Sequence, residues 1–128
     1  MSVETEVLAA AAALVADFGA GRVDEYFERL APEATFVFHA TPQRLGSRED
    51  YRALWATWEA EDGFRVLGCS SSAQVVQELG PGVAVLTHEV ATRIATTAGE
   101  EELRERESVV FVRRDGGWLV AHEHLSGR

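Results

Sequence analysis

Arg113-Arg114-Asp115-Gly116-Gly117-Trp118-Leu119-Val120-Ala121-His122-Glu123-His124-Leu125-Ser126 is the stretch on which the reading of this chain turns. Asp115-Gly116-Gly117 separates two apolar runs, Val109 to Val112 and Trp118 to Ala121, and so predicts a β-hairpin. Its second strand carries His, Glu and His in succession. Side chains alternate faces along a strand, so His122 and His124 are expected on one face and Glu123 on the other. Asp-Gly-Gly suits two turns. A two-residue turn sets Glu107 opposite His124 and Val109 opposite His122. A three-residue turn with a glycine bulge sets Arg106 opposite His124 and Ser108 opposite His122. By alternation Trp118 and Val120 share the histidine face, and Leu119, Ala121 and Leu125 share that of Glu123. Either face could line an interior.

Working outward, the four segments 64–78, 82–96, 102–113 and 118–126 read as long strands, with turns at Gly80-Pro81-Gly82, Thr97-Ala98-Gly99 and Asp115-Gly116-Gly117. Glu100 to Glu107 also has helical i, i+4 charge spacing, but the β-branched run that follows favours a strand. Upstream the period changes. Val3, Val7, Ala11, Leu14 and Phe18 mark a helix over 3–18, with Ser2 as its cap. A short helix spans Val23 to Leu30, and Pro32 prevents its continuation. Thr35 to His39 reads as a strand. Ser47 to Asp50 resembles a capping box, and Tyr51, Leu54, Trp55 and Trp58 form one stripe of the next helix, which runs to about Glu61 and a Gly63 cap. Helices followed by antiparallel strands predict an α+β fold, a curved, mainly antiparallel sheet wrapped over three N-terminal helices with a cone-shaped space between the layers.

Composition narrows the function. The chain has 128 residues and reads as one domain, 1–128. It has 46% apolar and 26% charged residues. Its net charge is −9, lysine is absent, and several arginines sit beside acids, so neither nucleic acid nor an anionic membrane is an expected partner. No run of about 18 apolar residues suggests a membrane-spanning helix. The Ala-rich start reads as a mature helix and not as a leader. Cys69 is the one cysteine, which fits a reducing compartment and a cytoplasmic location.

The order of elements, together with the Arg113 to Trp118 turn and the His122 to Ser126 ending, resembles the nuclear transport factor two-like superfamily. The final hairpin looks like that of its SnoaL-like branch and is also similar to the association domain of calcium/calmodulin-dependent protein kinase. The resemblance implies the cone fold, sheet-to-sheet homodimers, and functions ranging from isomerases and cyclases to assembly modules. Ketosteroid isomerase, in the same superfamily, carries a catalytic Asp at the end of its first strand. Here that region reads Phe36-Val37-Phe38-His39, which leaves His39 as the nearest candidate base. The arginines that line the kinase hub pocket are matched by Val109 and Leu125, both apolar.

The candidate acids and bases are therefore His39, Glu89, Glu107, His122 and His124, since imidazole titrates near neutrality and a carboxyl in an apolar cavity is raised toward it. Each has a structural alternative, as a hydrogen-bonded core or interface group. Glu89 follows His88 on a central strand, so one of the two points inward. Phe36, Phe38, Tyr51, Trp55 and Trp58 are the candidate aromatic wall, and Glu123 is the pocket acid if its face is the inner one. No metal-ligand spacing, phosphate loop or nucleophile elbow is present, so no metal or cofactor is expected. These residues suit a cofactor-free isomerase, cyclase or dehydratase acting on a small hydrophobic carbonyl compound. The alternative is a non-catalytic binding or dimerisation module.

Overall fold

The computed structural model describes residues 2–128. Helices α1 (Val3–Gly19), α2 (Val23–Glu28) and α3 (Arg48–Asp62) are interleaved with β1 (Leu30–Phe38). Four strands follow: β2 (Arg65–Gly80), β3 (Val83–Thr96), β4 (Gly99–Arg114) and β5 (Gly117–Gly127). The sheet order is β1-β5-β4-β3-β2, antiparallel throughout except for the parallel pairing of β1 with β5. The helices lie on one face, which gives the expected α+β cone.

Local chemistry sets the helix limits. Ser2 and Ser47 accept hydrogen bonds from Thr5 and Asp50 N–H, satisfying donors at the first turns of α1 and α3. Gly63, at φ 63°, reverses the chain after α3 while its N–H bonds back to Glu59. Leu30, expected at the end of α2, already belongs to β1. Pro32 has no N–H to give the ladder, and the β1–β5 pairing is interrupted between Leu30 and Thr35. Glu100 to Glu107 is strand, as the β-branched run after it requires.

The core is aromatic. Phe27, Phe36 and Phe111 are fully buried, each stabilising the fold by about 1.5–3 kcal/mol. Tyr51 and Trp55 of α3 meet Tyr26 and Phe27 of α2 edge-on or tilted, with centroids 4.9–6.1 Å apart. Edge-to-face pairs of this kind add about 0.5–1.5 kcal/mol beyond burial. α1 packs directly on β2. A Cβ at Gly19 would come 2.9 Å from the backbone N of Cys69, so only glycine permits that approach.

The final hairpin departs from both expected registers. Asp115 and Gly116 have φ of 51° and 79°, the positive pair of a two-residue turn, and Arg113 faces Trp118 as that turn demands. Past Phe111↔Val120, however, the next pair is Val110↔His122. Ala121 is an extra residue, a β-bulge, and it shifts everything beyond it by one. Ser108 therefore faces His124, and Val109 faces Glu123. The expected partners Glu107 and Arg106 for His124 are both replaced. The faces change too: Trp118, Val120, Glu123 and Leu125 point to the helices, while His122 and His124 point away.

Candidate functional site

Between the sheet and the helices lies a cavity of about 320 Å³. Its aromatic wall is drawn from several elements, with Tyr26 of α2 and Phe64 among its rings. α1 supplies Phe18, α3 supplies Tyr51, Trp55 and Trp58, and the end of β1 supplies Phe38. Their helical spacing of three and four, and the period of two on β1, put these rings on the inner faces. Trp55 Nε1 is buried without a hydrogen-bond acceptor, among the rings of Phe18, Phe27 and Phe64. Phe36 is not part of the lining. It lies fully buried behind it, tilted against Tyr51 with ring centroids 4.7 Å apart.

The polar floor is made by alternate residues of neighbouring strands. Leu103, Glu105 and Glu107 share the inner face of β4, and Glu123 and Leu125 that of β5. Glu105 and Glu123 are almost wholly buried. The Glu107 and Glu123 carboxyls face each other closely enough to share one proton. Burial, and then the neighbouring Glu105, pushes the Glu107 carboxyl up to about 8. Burial, and then Glu107, holds Glu123 well above the ordinary carboxylate range. Both acids are thus held protonated to a higher pH than a free carboxyl. Close above them Tyr26 and Tyr51 join hydroxyl to hydroxyl at 3.0 Å, and burial keeps both neutral.

His39 stands at the mouth, at the end of β1, with Nε2 2.6 Å from Oε2 of Glu105. His88 comes from β3 and is buried. Its Nε2 is 2.8 Å from Oε1 of Glu107, and its Nδ1 is 2.6 Å from Oγ of Ser71. Burial lowers the His88 pKa, which keeps the ring neutral near pH 7. Cys69 lines the wall 3.5 Å from the Thr92 hydroxyl, and burial pushes its thiol up, away from reactivity.

The structure thus brings His39, Glu107, Glu123, Phe38, Tyr51, Trp55 and Trp58 to one cavity. Glu89, His122 and His124 are not there. Glu89 points to the outer face and pairs with Arg128. His122 is held on that face by Thr35 Oγ1 at 2.8 Å, its pKa lowered by burial and then by His124, whose ring centroid is 6.5 Å away. Of the His88–Glu89 pair the inward member is the histidine. Sequence reasoning raised the His88–Glu89 pair but put Glu89 forward as the candidate, and it missed Glu105 and the pairing of Tyr51 with Tyr26. Glu105 shares its parity with Glu107, Val109 and Phe111, but Val110 and Val112 make the opposite face of β4 apolar as well, so alternation alone does not place it inside. Among the described residues, no group of three or more His, Cys, Asp or Glu is placed to hold a metal ion.

With this geometry in hand, the chain can be set beside known proteins. No curated protein sequence matches it. In three dimensions it is similar to an NTF2-like protein from Cytophaga hutchinsonii, at 12% identity, with 100% of both chains covered and a TM-score of 0.83. It is similar also to the CaMKII hub of S. rosetta, at 19% identity over 100% of this chain and 98% of that one, TM-score 0.79. A third likeness is to a protein from Catenulispora acidiphila in complex with S-DNPA, at 15% identity over 98% and 92% of the two chains, TM-score 0.80. Such identities speak for the fold alone. Residues 7–127 match the family model of the SnoaL-like domain, and the chain belongs to that family.

Proposed function

We propose that this chain binds a small, apolar, carbonyl-bearing molecule in its cavity and moves a proton on it without a cofactor, as an isomerase or lyase does. The observation that supports this most is the Glu107–Glu123 carboxyl pair on the floor of an aromatic cavity. A base is most effective when its pKa lies near the working pH, and Glu107, at about 8, meets that condition. In this reading Glu107 takes a proton from the carbon next to the carbonyl. Glu123 donates its proton to the carbonyl oxygen as the enol forms; Glu107 then gives its proton back to the same or another carbon while the enol O–H returns its proton to Glu123, which restores the ketone and both acids. Tyr51, Trp55 and Trp58 hold the ring system, and His39 with Glu105 guards the mouth. The volume, about 320 Å³, suits a bicyclic molecule. The complex of the Catenulispora acidiphila protein with S-DNPA supports a ligand in a related fold.

The test uses 2-tetralone, a bicyclic ketone with exchangeable α-protons. Binding is read by quenching of tryptophan fluorescence, and deuterium uptake from D2O by proton NMR. Wild-type protein is expected to accelerate uptake, and Glu107→Gln and Glu123→Gln each to lose about 100-fold or more of that rate while still binding. Binding with no acceleration, or acceleration indifferent to both substitutions, would leave the cavity a passive binding site.

An oligomeric role is supported by a separate observation. The outer sheet face carries half-buried Val85, Val110, Val112 and Leu119 with no layer over it. We assign this face to a homodimer, in keeping with the hub likeness, and place the protein in the cytoplasm, where the lone Cys69 stays reduced. Leu119→Arg is expected to give a monomer in sedimentation; an unchanged mass would exclude this face.

A further inference from the structure

His88 is the buried titratable group that the proposed chemistry leaves unused, and it stands between the carboxyl pair and solvent. A chain of hydrogen bonds begins at exposed Gln74, beside the β2 irregularity where Ala73 has φ 52°. Gln74 Nε2 donates to Ser71 Oγ at 2.9 Å. Ser71 Oγ lies 2.6 Å from His88 Nδ1, and His88 Nε2 lies 2.8 Å from Glu107 Oε1. Both His88 and Glu107 also border a second, open depression of about 420 Å³ on the outer side. The pair is therefore the wall between the cavity and that depression.

The direction of the chain follows from its first member. An amide N–H can only donate, so Ser71 spends a lone pair on Gln74 and keeps its hydroxyl proton for the next partner. Given to His88 Nδ1, that proton leaves the ring's own hydrogen on Nε2, aimed at Glu107. A carboxyl oxygen that accepts there is stabilised in its ionised form. We propose that His88 is a positioning residue, held as the Nε2–H tautomer by Ser71 and Gln74, which makes Glu107 the base of the carboxyl pair and leaves the shared proton on Glu123, the acid. The titratable groups facing Glu107 agree with this division. Glu105, Tyr26, Tyr51 and Cys69 surround the pair, His39 is taken up by Glu105, and among the described residues His88 is the nitrogen donor that reaches Glu107. The outer depression is bordered as well by Glu89, Arg106 and His124.

This inference rests on the carboxyl pair being the seat of proton transfer, but its test needs no substrate. In protein labelled with ¹⁵N in histidine and ¹³C in glutamate carboxyls, long-range proton–nitrogen spectra report the tautomer, and carbon shifts report the ionisation of the pair. The expected result is the Nε2–H tautomer for His88. In His88→Leu the first ionisation of the pair should move up by about one pH unit, a tenfold change. His88→Gln should restore it, because the amide oxygen can accept from Ser71 and the amide N–H can donate to Glu107. An Nδ1–H tautomer in the wild type overturns the proposal, and so does a pair that titrates alike in His88→Gln and His88→Leu. Should His88→Leu not fold, the wild-type tautomer and its loss in Ser71→Ala decide the matter. Failure of the tetralone assay with the tautomer intact would sink the catalytic reading alone. An Nδ1–H tautomer with catalysis intact would sink only the role given to His88.

Discussion

Glu107→Gln should stabilise the protein at alkaline pH, although it removes a buried hydrogen-bonding group. Glu107 is 13% exposed at its side chain and is raised from 4.5 to about 8. A carboxyl raised on folding favours the folded state while it is protonated. That contribution is complete below pH 4.5, falls away as pH climbs, and is gone above about 8. At about 1.36 kcal/mol per pH unit, a rise of this size takes on the order of 5 kcal/mol from the wild type by pH 9, and under about 1 kcal/mol at pH 5. Domains of this size hold about 5–15 kcal/mol in all, so the loss is large. Glutamine has the shape of the protonated acid. It can accept from His88 with its oxygen and donate to Glu123 with its nitrogen, so the hydrogen bonds survive the substitution. The variant and the wild type should therefore match near pH 5 and diverge up to pH 9, with the variant ahead by several kcal/mol. Urea unfolding at pH 5, 6, 7, 8 and 9, followed by tryptophan fluorescence, measures this directly. The variant serves as control for the general repulsion of a chain with net charge −9. Parallel pH curves, to within about 1 kcal/mol, would refute the reasoning, because they would mean that Glu107 ionises as readily inside the fold as outside it.

Other outcomes follow from the same geometry. His39→Ala strips Glu105 of its 2.6 Å partner and should cost about 1–3 kcal/mol in urea unfolding. Adding Glu105→Gln should recover part of that cost, so the double mutant is less harmed than the two single losses combined. Gly19→Ala drives a methyl to 2.9 Å from the Cys69 backbone and should lower stability by about 1–3 kcal/mol without altering the titration of the cavity carboxyls. Gly63→Ala should cost about 1 kcal/mol or more through its left-handed φ of 63° and leave ligand binding unchanged.

Most of the architecture was legible in the sequence because it rests on period and punctuation. The heptad-like stripe Tyr51, Leu54, Trp55, Trp58 could only be one helix face, and Gly80-Pro81-Gly82 and Asp115-Gly116 could only be turns. The β4 segment 100–107 was ambiguous in charge spacing, and the residues beyond it decided the matter. Burial was harder to read. Glu105 looks like one more acid in a solvated run, and only its β3 and β5 neighbours place it in the interior. His88 and Glu89 differ by one position on a strand, and which of them enters the core depends on a register that no local signal carries.

Ala121 shows why the site's chemistry lay beyond sequence reasoning even though the hairpin did not. With the turn at Asp115-Gly116 and an unbroken ladder, Glu107 would face His124 and Val109 would face His122, both across the inner surface. The cavity would then hold imidazoles. The single extra residue turns the next three side chains over, sends both histidines outward, and brings Glu123 against Glu107. Its position has a physical cause. β5 must pair on its other side with β1, where Pro32 lacks a donor and the ladder breaks between Leu30 and Thr35. Val120 pairs with Leu30 before that break and His122 with Thr35 after it. Ala121 thus lies between the two registers, at the point where β5 changes step with both neighbours. Which acids face the cavity is settled there, by a small residue that is not itself part of the lining. A substitution that regularised the β1–β5 ladder would be expected to change the chemistry of the cavity more than the loss of any one ring in its wall.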